Sequence, residues 1–173
     1  MSIATTGLRP MQSLLAAVQT AAIVLTGVLA GAVLATWLNE ASLGGSSELW
    51  VAYHQAITPA YTRTVPPLGG LAMVAALATL ATSGWSRRDR RLVLAAVACL
   101  LVGLLVTVVA HFPMNAEIGT WRPVAPPADW QQLRDRWLTA HAVRTVFAVA
   151  GFALLVIAAP SRRPQAAPGT ELE

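Results

Sequence analysis

Apolar and polar positions follow one another along this chain in long blocks. Four apolar runs stand out, Met11–Leu38, Leu68–Gly84, Leu92–Phe112 and Ala140–Ala159, parted by polar, proline-bearing or arginine-rich stretches. The apolar core of a bilayer takes about 20 helical residues, so three runs span it easily and the second is short. Backbone groups in lipid have to be satisfied within their own segment, which makes these runs helices rather than open strands. The pattern predicts an all-α integral membrane protein, a four-transmembrane-helix bundle with spans near 11–38, 68–84, 92–112 and 138–159. Together these form a single domain over residues 1–160, followed by a polar, proline-bearing cytoplasmic tail, 161–173, expected to be disordered.

The stretches between the runs carry their own signals. Trp50, Tyr53, His54 and Ile57 fall at i, i+3, i+4 and i+7, one face of a helix. They predict a short extracytoplasmic helix in the first loop, capped by Ser46 or Ser47 and ended or kinked at Thr58-Pro59. An extended Pro66-Pro67 link would then lead into the second span. From Pro113 the sequence PMNAEIGTWRPVAPPADW is too rich in proline to be regular throughout, and Asp129 is placed to cap a long last helix that enters the bilayer near Leu138. In the first span Thr26, Gly27, Ala30 and Gly31 lie near one another on the helix surface. Small residues let helices approach closely in lipid, so this face is expected to pack on a neighbour.

Composition agrees with a lipid exterior. The chain is 55% hydrophobic and 12% charged, too little charge to clothe a water-soluble domain of 173 residues. The net charge of +4 is a matter of topology rather than of nucleic-acid binding, which the distribution argues against. Arg9, Arg87, Arg88, Arg90, Arg91, Arg162 and Arg163 collect on one side, while the other side mixes Arg63, Arg122, Arg134 and Arg136 with Glu40, Glu48, Glu117, Asp129 and Asp135. Positive short loops mark the cytoplasmic face, so both termini are expected inside, in a bacterial plasma membrane. All twelve basic residues are arginine, which excludes lysine Schiff-base chemistry, and the single Cys99 excludes an intrachain disulfide. No repeated half or broken helix pair suggests a transporter.

That topology puts His54, His111 and His141 on one side of the membrane. Trp137, His141 and Arg144 follow at spacings of four and three, so they share a face of the last helix. An arginine facing lipid there would cost a few kcal/mol, so Arg144 is expected to point into the bundle, with Glu117 the best candidate for its carboxylate partner. Two chemistries remain open on these residues. His141 could act as a general base near neutrality, with Arg144 and Asn115 holding the oxyanion it creates. Alternatively His54, His111 and His141 could ligate copper or iron, although their spacing matches no compact metal motif. The bland alternative is a non-enzymatic membrane scaffold or lipophile-binding protein whose polar groups only close the bundle.

HFPMN at the end of the third span and WLTAHAVR in the fourth resemble the small four-helix membrane family of anthrone oxygenases. TGVLAGAVLATWL in the first span and HQAITPAY after it are similar to the equivalent regions of that family, so the resemblance covers most of the chain. It implies a four-helix membrane bundle with Asn115, Trp137, His141 and Arg144 as its polar signature. It also implies an oxygenase that acts on a flat, lipophilic anthrone- or phenol-like molecule with dioxygen; Trp137, Trp121 and Tyr53 are the candidates in this chain to bind such a ring. A carbanion of that kind can pass an electron to dioxygen directly, so no cofactor is required on this reading, and the chain has no glycine-rich dinucleotide loop. The expected partners are such a substrate and membrane lipid; a homo-oligomer stays open.

Overall fold

The computed structural model describes residues 8–81 and 85–159, and the tail 161–173 lies outside the described residues. The elements are α1 (Leu8–Ser42), α2 (Ser47–Leu80), α3 (Arg87–Val106), a π turn (Thr107–His111), α4 (Phe112–Ile118) and α5 (Trp130–Ala158). Among the described residues four helical stretches are long and apolar enough to cross a bilayer: Ala16–Ser42, Ser47–Leu80, Arg87–Ile118 and Trp130–Ala158. The protein is an all-helical integral membrane protein. Its outward surface is aliphatic, with Val109 73%, Val74 65% and Val146 65% exposed, a surface whose solvent is hydrocarbon.

α5 packs most extensively on α3 and also on α1, and α1 packs along α2; α2 and α3 meet less closely. The expected small face of α1 is real. Thr26 and Ala30 are buried, and a Cβ on Gly27 would lie 2.9 Å from Phe152 Cε2, so only glycine lets α5 come this near. Gly31 departs from the expectation, with open space around it. The buried residues form two clusters. One runs down the bundle through Leu29, Val33, Ala76, Val93, Ala96, Leu100, Ala148 and Leu155. The other, Trp50, Val51, Ile118 and Trp137, closes one end.

Two expectations about the loops are corrected. The short first-loop helix, the extended Pro66-Pro67 link and the second span are one 34-residue helix, α2, with Pro59, Pro66 and Pro67 inside it. Ser46 does cap it, its Oγ accepting from the Leu49 N–H at 3.2 Å. Proline removes a backbone donor but its fixed φ suits a helix, and in a bundle α1 holds both halves of α2 in line. The third span likewise does not end at Pro113 but continues to Ile118. An α-helical Pro113 would press its ring on the Val109 carbonyl. The chain widens instead into the π turn, where the Phe112 N–H bonds the Thr107 carbonyl five residues back. That extra residue turns His111 inward until it is 1% exposed.

The beginning of α5 is partly as expected. Asp129 is the N-cap residue but its side chain makes no capping bond; its carbonyl accepts from the Gln132 N–H at 2.9 Å. The irregular stretch before it is latched to α2 by Gln55, whose Nε2 donates to the carbonyls of Ile118 and Trp121, both at 2.8 Å.

Candidate active site

On α5 the residues Trp137, His141, Thr145, Ala148, Gly151, Leu155 and Ala158 are buried at spacings of three and four. The polar members sit between the two apolar clusters. His141 is 0% exposed, and its Nε2 donates to the Val33 carbonyl of α1 at 2.9 Å. A carbonyl only accepts, so Nε2 carries the proton and Nδ1 the lone pair. Arg144 Nη2 lies 3.1 Å from Nδ1 and 3.2 Å from Nε2, so the guanidinium stands over the face of the ring. Arg144 Nη1 donates to Thr107 Oγ1 at 3.4 Å, and that hydroxyl donates in turn to the Gly103 carbonyl at 2.9 Å. Arg144 thus points into the bundle, as its cost in lipid requires. Its partners are His141 and Thr107, however. Glu117 is exposed, and among the described residues Arg144 forms no ion pair.

The acid that does enter the site is Glu40, which the sequence reading left among the loop charges. It is 0% exposed at the end of α1. Its Oε1 accepts from His54 Nδ1 at 2.9 Å, while Oε2 and His54 Nε2 have no protein hydrogen-bond partner. Ala22, Thr26, Leu29, Val33, Thr36 and Glu40 are all buried at helical spacing, so Glu40 continues the inward stripe of α1. That spacing was the signal available in the sequence. Arg134 of α5 steadies this helix end, its Nη2 donating to the Glu40 and Ala41 carbonyls at 3.4 and 3.3 Å.

The three histidines do converge, around Trp137. Its ring centroid is 5.1 Å from His54, 5.3 Å from His111 and 4.6 Å from His141, and the first two contacts are edge-on. Trp137 Nε1 donates to Asn115 Oδ1 at 2.8 Å, which leaves the Asn115 amide nitrogen as its free donor. The metal-ligand reading does not fit this arrangement. His111 and His141 touch edge-on at 5.3 Å between centroids, but the His54 ring packs on Trp50 and Trp137 instead, and no three His, Cys, Asp or Glu among the described residues are placed to hold an ion together. His141 itself lines neither cavity and stands behind Arg144.

Two cavities meet at Arg144. A small chamber of about 40 Å³ is faced by Glu40, Thr58, Tyr61, His111, Asn115 and Arg144, with apolar wall from Ile57 and Phe112 and with Trp137 and Thr107 also on it. An apolar cavity of about 290 Å³ lies against it, lined by Leu29, Val33, Met73, Leu100, Gly103 and Ala148 and sharing Val65, Pro66, Thr107 and Arg144 with the chamber. Of the ring-binding candidates, Trp137 lines the chamber. Trp121 and Tyr53 line neither cavity; Trp121 packs in the end cluster, and Tyr53 lies one helical position from the buried face of α2. Thr58, Tyr61 and Val65 follow His54 at helical spacing, a pattern hidden by reading Pro59 as a break. Trp50 is fully buried, 5.2 Å from His54 and 6.2 Å from Trp130 between ring centroids.

Fold and site together define a membrane-embedded protein with an apolar cavity that ends on a half-buried guanidinium. A family model described as anthrone oxygenase matches residues 57–154, more than half of the chain. The chain belongs to the anthrone oxygenase family, as HFPMN and WLTAHAVR suggested. Comparison with curated proteins and with solved structures gave no match. Asn115, Trp137, His141 and Arg144 lie inside the matched segment, whereas Glu40 and His54 precede it.

Proposed function

We propose that the protein is an oxygenase for a flat, lipophilic aromatic ketone of the anthrone class, converting a ring methylene and dioxygen to a carbonyl and water. The observation that carries this reading is the apolar cavity of about 290 Å³ ending on Arg144 and Thr107. Small-molecule sites start at about 300 Å³ and pair apolar walls with a few polar groups, which is the composition of this one. A substrate dissolved in the bilayer reaches such a cavity without crossing water. An outer ring lies among Leu29, Met73, Leu100 and Ala148, and the central ring reaches the adjoining chamber, its oxygen on Arg144 and its methylene, on the opposite edge, toward the far wall.

Loss of a methylene proton puts negative charge on that oxygen, and a fixed cation in an apolar site stabilises it strongly. The His141 ring, fixed by Val33, packs its face on the guanidinium while Thr107 Oγ1 accepts from Nη1, so the donor needs no reorganisation when charge develops. The amide nitrogen of Asn115, oriented through Trp137, is the second donor. The electron-rich carbon then reduces dioxygen, and the resulting hydroperoxide eliminates water to leave the new carbonyl. The arginine distribution supports an orientation with this end of the bundle away from the cytoplasm.

The test is oxygen uptake by the detergent-purified protein given anthrone, followed together with the quinone absorbance. The wild type consumes one dioxygen per quinone formed, and Arg144→Ala loses on the order of 100-fold or more in rate while remaining folded. A wild type that binds anthrone but never consumes oxygen is a lipophile-binding protein, and the oxygenase reading then fails.

A further inference from the structure

We propose that Glu40 is the catalytic base of this site and that His54 is its positioning residue. The inference rests on the oxygenase reading and names a group outside the segment matched by the family. A carboxylate buried at the end of a membrane span is costly, and such groups persist where they do chemistry or are fully paired. Glu40 is only half paired. His54 Nδ1 engages Oε1 at 2.9 Å, and Oε2 takes no hydrogen bond from the protein. The residue lines the small chamber that Arg144 also lines. Across that chamber stand a group that can accept a proton and a cation that can hold the charge left behind.

His54 has no other task that the geometry reveals. Trp50 and Trp137 grip its ring at 5.2 and 5.1 Å between centroids, and it is 1% exposed, so its Nδ1 donor is immobile. An engaged Oε1 fixes the carboxylate plane and leaves Oε2 as the reactive atom. His111 also faces the chamber with an open Nε2, but its Nδ1 has only a 3.4 Å contact to the Val106 carbonyl to set its tautomer.

The proton balance closes on Glu40. Oε2 takes one methylene proton, and the C–H electron pair moves into the ring system, leaving the enolate oxygen on Arg144. After the carbon has bonded to dioxygen, the Oε2 proton returns to the distal peroxide oxygen. Oε2 then takes the second proton from the same carbon as the O–O bond breaks, and passes it to the departing hydroxide. One methylene and one dioxygen become one carbonyl and one water, and Glu40 ends as it began.

The first half of this sequence needs no dioxygen, so it can be read alone. Unsubstituted anthrone is incubated under argon in deuterated buffer with detergent-purified protein, and deuterium in its methylene is followed by mass spectrometry. Wild type raises exchange above the protein-free rate; Glu40→Gln lowers it about 100-fold while anthrone still quenches tryptophan fluorescence. Glu40→Asp, which keeps the charge but withdraws it by one methylene, also lowers exchange and decides the matter if the glutamine variant does not fold. His54→Asn, whose amide N–H can replace the Nδ1 donor, retains exchange that His54→Phe loses. Unchanged exchange in folded Glu40→Gln or Glu40→Asp overturns the base assignment, as does loss confined to His111→Gln, while oxygen uptake by the wild type leaves the oxygenase reading intact. A wild type inactive toward anthrone in both exchange and oxygen uptake sinks that reading, and the base with it.

Discussion

Filling the apolar cavity from one side separates substrate binding from stability. Gly103 on α3 lines this cavity, and a Cβ added there would come no closer than 4.0 Å to any neighbour, the Arg144 carbonyl oxygen. Gly103→Leu therefore has room for its first carbon and extends into space that is already apolar. Replacing an interior helical glycine gains about 1 kcal/mol in propensity, and filling empty volume recovers about 24 cal/mol per Å³. The variant should be as stable as wild type or more so by about 1–3 kcal/mol, seen as an equal or higher melting temperature in detergent. Its activity should move the other way. At about 290 Å³ the cavity is already at the lower end for a small-molecule site, so a leucine side chain leaves too little for a fused-ring substrate. Oxygen uptake with anthrone should fall to the background rate, and fluorescence quenching by anthrone should disappear. Gly31→Leu is the control, because that glycine has nothing within 4 Å and lines neither cavity. Wild-type turnover by a folded Gly103→Leu protein would refute the assignment of this cavity to the substrate.

Two further outcomes follow from the polar contacts. Gln55→Ala removes both donors that hold the Ile118 and Trp121 carbonyls, at about 1 kcal/mol or somewhat more for each bond. The irregular stretch before α5 should then be cleaved faster in limited proteolysis, and an unchanged cleavage rate would show that the latch is dispensable. Asn115→Leu leaves the Trp137 indole N–H without its acceptor and should lower stability by about 1–3 kcal/mol. Asn115→Asp keeps the acceptor, so its melting temperature should lie above that of the leucine variant; the reverse order would mean that the bond contributes nothing.

By itself the sequence determined the membrane environment, the four helices and the inward face of the last one. Those properties follow from run length and from the spacing of Trp137, His141 and Arg144, and both are local. Tertiary structure decided the rest. Whether three prolines break a helix depends on what holds its two halves, and α1 holds those of α2. Glu40 read as a loop charge because a residue at the end of an apolar run is equally suited to water. Its burial is set by His54, 14 positions away, and by the Arg134 grip on the end of α1. The histidine cluster was visible as three residues on one side of the membrane, but which of their nitrogens are free is a property of packing. Val33 occupies Nε2 of His141, a π turn brings His111 inward against that ring, and Trp137 packs on all three. Periodicity specifies the face a side chain presents, and only the neighbouring helices specify what that face meets.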